Sequence, residues 1–291
     1  MSTTNIRVRA MQGHRGLIRT LLNRSRAKEI RKHPQLLTAK PHTVGTMLDA
    51  IQPAPARSIL LGRCSDGLPF LMTLGDPTLG AILIGCEAGH GKTHQLQVIA
   101  ESAMRSQSPR HLQVAVLTLN PSEWDSSQKG AAAKFLYGLS AWYDPKAEDM
   151  LAELTTLAEA RREGKRTGTD VLLILDDLNA AEDLGWEAQM NLRWLLEYGA
   201  QSGIWLVATL NADLAADQRY WVDTFRTRIL GKVSESKLAE MLANRDDANT
   251  TDLLPGAFKI WTGSAWLKYT LPLLEGVING EAPHGNRHVV V

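Results

Sequence analysis

Residues 85–93 read Gly-Cys-Glu-Ala-Gly-His-Gly-Lys-Thr and follow directly on the apolar run Ala81–Ile84. A buried strand, a glycine-rich turn and then a helical pattern form an arrangement in which a backbone can wrap a polyphosphate. Gly89 and Gly91 let the chain curl so that successive N–H groups point inward. The helix that follows adds the positive end of its dipole. Lys92 is placed to reach the outer phosphates, and the Thr93 hydroxyl to ligate Mg²⁺. The expected cradle is therefore Glu87, Ala88, Gly89, His90, Gly91, Lys92, Thr93 and His94. The usual motif opens with glycine where this chain has Cys86, and Gly85 stands one step earlier.

Val171–Leu175 is a second apolar run, and it ends in Asp176-Asp177. Such a run reads as a central parallel strand buried on both faces. A carboxylate at its C-terminal end sits where sheets of this kind bind ligands. Asp176 is the expected second partner of Mg²⁺, and Asp177 the expected residue that orients an attacking water.

Around these motifs the pattern alternates. Residues 58–62 and 69–73 read as a hairpin turning at Ser65-Asp66-Gly67. A helix after the loop carries Leu96, Ile99, Ala100, Ala103 and Met104 on one face. A strand at 114–119 ends at Asn120-Pro121, and an insertion follows with a helix from about 146 to 163. A helix at about 186–198 carries Met190, Trp194 and Leu195. Strands are expected at 204–209 and about 228–233, and a hairpin at 258–272 turns at Thr262-Gly263-Ser264. Strands alternating with helices imply an α/β fold with a mainly parallel sheet, right-handed crossovers and helices on both faces.

The chain has 291 residues, 44 % of them apolar or aromatic, enough for one such domain with appendages. Its net charge of +1 hides an asymmetry. Residues 1–40 hold ten Lys and Arg against Glu29 alone, a charge of +9, which leaves −8 for the remainder. A basic arm of this kind, with the short apolar stripe Leu17, Ile18, Leu21 and Leu22, suits nucleic acid or a protein partner. No apolar run approaches the ~18 residues of a membrane span. The N-terminus lacks the apolar core of a signal peptide. Cys64 and Cys86 have no metal or redox spacing. These features suggest a cytoplasmic protein. The expected organisation is a basic arm at 1–45, an ATPase domain at 46–275 and a tail at 276–291.

Over residues 58–275 the order of elements resembles the FtsK/HerA superfamily of phosphate-loop ATPases. Leu61-Gly62-Arg63 with the 68–73 strand is similar to that family's lead-in hairpin, and Asn120-Pro121-Ser122 stands where the family often has Asp-Pro-Lys. Ser202–Thr209 is similar to its Gly-Ile-His-Leu-Val-Leu-Ala-Thr-Gln strand, and Phe225–Ile229 to its Pro-Thr-Arg-Ile element. The resemblance implies a RecA-like domain that hydrolyses ATP with Mg²⁺, assembles as a hexameric ring and moves or packages double-stranded DNA. It implies a sensing role for Asn211 and a trans-acting arginine at Arg228 or Arg226. Asp177 replaces the usual Glu, and Ala200 an Arg. Gly91-Lys92-Thr93-His94 with Leu175-Asp176-Asp177 also resembles AAA+ initiators and helicase loaders. A nucleotide-dependent switch or scaffold is the third reading.

Overall fold

The computed structural model describes residues 42–76 and 78–275. The apolar stripe of the basic arm and the tail at 276–291 lie outside these residues. Ten strands form one sheet in the order β2-β1-β10-β9-β8-β3-β7-β6-β4-β5. Six of them, β8 (Thr227–Leu230), β3 (Ile82–Cys86), β7 (Ile204–Asn211), β6 (Asp170–Leu175), β4 (Leu112–Thr118) and β5 (Leu136–Ala141), run parallel. β9 (Ala257–Trp261), β10 (Trp266–Thr270), β1 (Ser58–Cys64) and β2 (Pro69–Thr73) continue the sheet as an antiparallel wing.

Side-chain alternation divides the core between two faces. On one face Leu83, Leu117, Leu173, Leu175 and Leu206 pack under α3 (Pro145–Arg162), α4 (Trp186–Tyr198) and α6 (Ser236–Ala243). On the other, Ile82, Ile84, Val116, Ile174 and Val207 receive Leu96 and Ile99 of α2 (Lys92–Ser106). The short α1 (Val44–Asp49) sets Val44, Met47 and Leu48 against Leu60 and Val98. α1 begins at Val44 and is tied to Glu275, whose carboxylate accepts from the Thr43 hydroxyl at 2.8 Å.

The wing curls over the outer side of α2. Gln95 Nε2 donates to Leu61 O at 3.0 Å, Leu60 N to Ser102 Oγ at 2.9 Å, and Tyr269 Oη to Gln95 Oε1 at 3.0 Å. Arg57, just before β1, pairs with Asp170 at the start of β6 at 2.9 Å. In a flat sheet the six strand spacings between them would span roughly 29 Å. α2 is thus enclosed between the parallel strands and the wing, with its buried Gln95 and Ser102 bonded to β1 and β10.

Most expected elements are present, and three further ones, β5, α5 (Arg219–Val222) and α6, join them. The insertion before α3 contains β5, an edge strand with a mixed burial pattern. Residues 236–243 form α6, and residues 219–222 form α5, both of them unforeseen. Met190 lies on the outer side of α4, 44 % exposed. Beyond Val233, the described residues give one helix and a hairpin that joins the sheet, not the helical lid an AAA+ protein would carry.

Candidate active site

The loop between β3 and α2 owes its shape to two left-handed glycines, Gly89 at φ 74° and Gly91 at φ 97°. Gly91 caps α2 with no side chain, so the first N–H groups of that helix face the loop. Cys86 takes the place of the motif's opening glycine because Gly231, just after β8, has no side chain there. A Cβ on Gly231 would lie 2.7 Å from Cys86 Cβ. Gly85, one step earlier, faces the opposite side of the sheet and makes room for Leu242 of α6. Burial pushes the Cys86 thiol up to about 11.

Lys92 is 8 % exposed and reaches back across the loop. Its Nζ donates to Glu87 O at 3.1 Å, Cys86 O at 3.3 Å and Asn211 Oδ1 at 2.5 Å. Asn211 closes β7, the strand inserted between β3 and β6, and pairs in register with Cys86. The sheet order therefore brings the expected sensor to the expected lysine.

Asp176 is 2 % exposed at the end of β6. Its Oδ1 accepts from Thr209 Oγ1 at 2.8 Å and Thr93 Oγ1 at 3.3 Å. Trp142 Nε1 donates to the Asp176 carbonyl at 2.6 Å, and Thr209 Oγ1 accepts from Asp177 N at 2.8 Å. Burial, with the neighbouring Asp177 charge, holds the Asp176 carboxyl above its ordinary range despite those hydroxyl donors. Burial also raises Asp177, and the Lys92 charge opposes that shift. Asp177 has φ 62°, a left-handed conformation that a side chain adopts only under local constraint. A hydroxyl and a buried carboxylate oxygen side by side are hard donors of the kind Mg²⁺ takes, so Thr93 and Asp176 fit that ion.

The remaining expected residues divide. The Glu87 side chain accepts from Ser234 N at 2.6 Å, which holds its carboxyl below the usual range. His90 Nδ1 donates to Ala88 O at 2.9 Å within the loop. The His94 side chain is tied elsewhere, with its Nε2 2.9 Å from Pro272 O. Arg228 is held within its own chain. Its guanidinium is 9 % exposed and donates to the carbonyls of Phe225, Val222, Met241 and Leu242 at 3.0–3.2 Å. It is thereby committed to the core of its own chain. Arg226 is exposed at the start of β8, at the sheet edge opposite the loop, with its stem over Gly80.

Three residues of the site were not foreseen. Thr209 ends an apolar strand beside Asp176, a signal the sequence did carry. Trp142 and Glu123 reach the site from the β4–β5 region without any tell-tale spacing. The charges of Asp176 and Asp177, after burial, raise the Glu123 carboxyl.

Fold and site together define a RecA-like P-loop ATPase architecture. No protein-family model and no curated protein matches the chain. Its neighbours among solved structures are P-loop ATPases of the FtsK/HerA type. They include EccC (ATPases 2 and 3) of Thermomonospora curvata in complex with a signal sequence peptide, at TM-score 0.62 and 15 % identity over 80 % of this chain and 43 % of that one. EssC (ATPases 2 and 3) of Geobacillus thermodenitrificans gives TM-score 0.62 and 16 % identity over 75 % and 45 %. The pCW3 conjugation coupling protein TcpA, in its monomer form with ATPgS, gives 0.56 and 15 % over 74 % and 66 %. The chain thus spans less than half the length of the first two. No described helix is long and apolar enough to cross a membrane.

Proposed function

We propose that the chain is an ATP-hydrolysing motor that works in the cytoplasm as a hexameric ring and moves or packages double-stranded DNA. The observation that carries the ATPase reading is the convergence of three strands on one loop: Lys92 on Asn211 of β7, and Thr93 on Asp176 of β6. The loop N–H groups hold the phosphates of ATP, and Lys92 neutralises the outer ones. Thr93 and Asp176 hold Mg²⁺, which when bound neutralises charge on the phosphate oxygens. Asp177 orients the attacking water and Asn211 senses the outer phosphate. Arg226, exposed where Arg228 is not, is the arginine that reaches a neighbouring subunit. The +9 arm at residues 1–40 supplies affinity for a polyanion, or for an acidic protein partner.

A second reading has a specific observation in its favour: EccC, with the same fold, was solved with a signal sequence peptide. A motor acting on a polypeptide would use the same ATP site.

The two readings separate in a single set of assays. The DNA motor predicts that duplex DNA stimulates ATP hydrolysis, and that binding weakens steeply with salt and weakens further when residues 1–40 are removed. Lys92→Ala loses ATP binding or turnover, whereas Asp177→Asn binds ATP and hydrolyses it poorly. Wild-type turnover in Asp177→Asn contradicts the role given to that residue. Duplex DNA that neither binds nor stimulates at low salt ends the DNA reading and favours the polypeptide one.

A further inference from the structure

Glu123 stands at the same rim of the sheet as the aspartate pair, on a different element. β4 flanks β6 with Leu117 opposite Leu175, and Asp176 N donates to Leu117 O at 2.8 Å. A 3-10 turn, Pro121–Gln128, starts three residues after the end of β4 and carries Glu123 in its first turn. Two anchors fix that turn. Trp124 is 2 % exposed, with its carbonyl accepting from Ser127 Oγ at 2.6 Å. Gln97 Nε2 of α2, one helical turn past Thr93, donates to Glu123 O at 2.8 Å. Glu123 is therefore tied through its carbonyl to the helix that bears Thr93, and it follows the strand that flanks β6, with its side chain exposed. Partial burial first, and then the charges of Asp176 and Asp177, raise its carboxyl.

Asp177 is poorly suited to do all the work at this rim. It is one methylene shorter than Glu. Its N–H is fixed to Thr209, its backbone is left-handed, and its carboxylate is under the charge of Lys92. A base at the same rim, on a longer side chain and on a separately anchored turn, completes the arrangement.

We propose that Glu123 is a catalytic residue for ATP hydrolysis, the carboxylate that accepts the proton of the attacking water while Asp177 orients that water. The inference rests on the ATPase reading given above. In the step assigned to it, the water oxygen bonds to the γ-phosphorus. The bond from that phosphorus to the β–γ bridging oxygen breaks with its electron pair going to ADP. One water proton passes to Glu123 and then to phosphate or solvent.

The test compares Glu123→Gln with wild type and Lys92→Ala, using ATP itself for turnover and a filter assay for ATP binding. Glu123→Gln is expected to bind ATP within about 2-fold of wild type and to lose about 100-fold or more in turnover, the range of a lost general base. Glu123→Ala should recover part of its rate with added formate, which a merely structural loss would not do. Turnover in Glu123→Gln within 2-fold of wild type, beside an inactive Lys92→Ala, overturns the assignment and leaves the ATPase reading intact. Parallel loss of ATP binding also overturns it, since Glu123 would then belong to the binding cradle. A wild-type protein without ATPase activity defeats the ATPase reading itself.

Discussion

A guanidinium that donates to four main-chain carbonyls holds structure together. Arg228 gathers carbonyls from the end of α6 and from the α5 turn; those of Met241 and Val222 also accept from Asn244 N and Phe225 N. Removing it strands the carbonyls of Phe225 and Leu242, each costing about 1–3 kcal/mol. Arg228→Ala should therefore unfold at lower denaturant concentration, by roughly 2–4 kcal/mol in all, while the molecules that remain folded keep their ATP turnover. A variant of normal stability with abolished turnover would return Arg228 to a role at a subunit boundary. Phe225-Arg226-Thr227-Arg228-Ile229 reads the same for either role, because the sequence does not say which arginine meets α6. The loop residues and Asp176 were legible because their spacing is local. Glu123 was not, because the aspartates it joins lie more than 50 positions away and come to the same rim only through the pairing of β4 with β6.

At the scale of elements, β3 and β8 are matched across the sheet by an exchange of size. Cys86 fills the space that Gly231 leaves open. An added methyl at Gly231 would lie 2.7 Å from Cys86 Cβ, 3.0 Å from a Phe258 ring carbon and 3.1 Å from Cys86 Sγ. Gly231→Ala is expected to destabilise by roughly 1–3 kcal/mol through overpacking. Adding Cys86→Gly should restore part of that stability, because two of the three close contacts vanish. Denaturant titration of the two single variants and the double variant measures the coupling. Strictly additive effects would show that the two positions do not share the space. The parallel strands were readable because uninterrupted apolar runs admit few other structures. β5 was not, since Gly138 and Ser140 break its apolar pattern and it lies at the sheet edge. The eight-residue α6 was too short to stand out as a helical pattern.

At the scale of the whole molecule, the wing's path over α2 was invisible to any local pattern, although both of its hairpins were visible. It also sets the order in which the chain can become a folded protein. β1 is made early in synthesis, yet among the described strands it pairs with β2 and with β10, and β10 lies some 200 residues further on. Until β10 arrives, Leu61 and Gln95 lack the surface that encloses them, and Tyr269 is not there to meet Gln95. The nucleotide loop sits at the head of that unfinished helix. Contacts so distant along the chain are slow to close. A ribosome-bound chain exposed only as far as residue 250 should therefore stay open to protease across residues 58–106 and should not retain ATP. Protection and nucleotide binding should appear together once residue 270 has emerged. Protection at the shorter length would mean that the parallel strands fold unaided. On the expected outcome, the site cannot take up ATP before nearly the whole domain has been made.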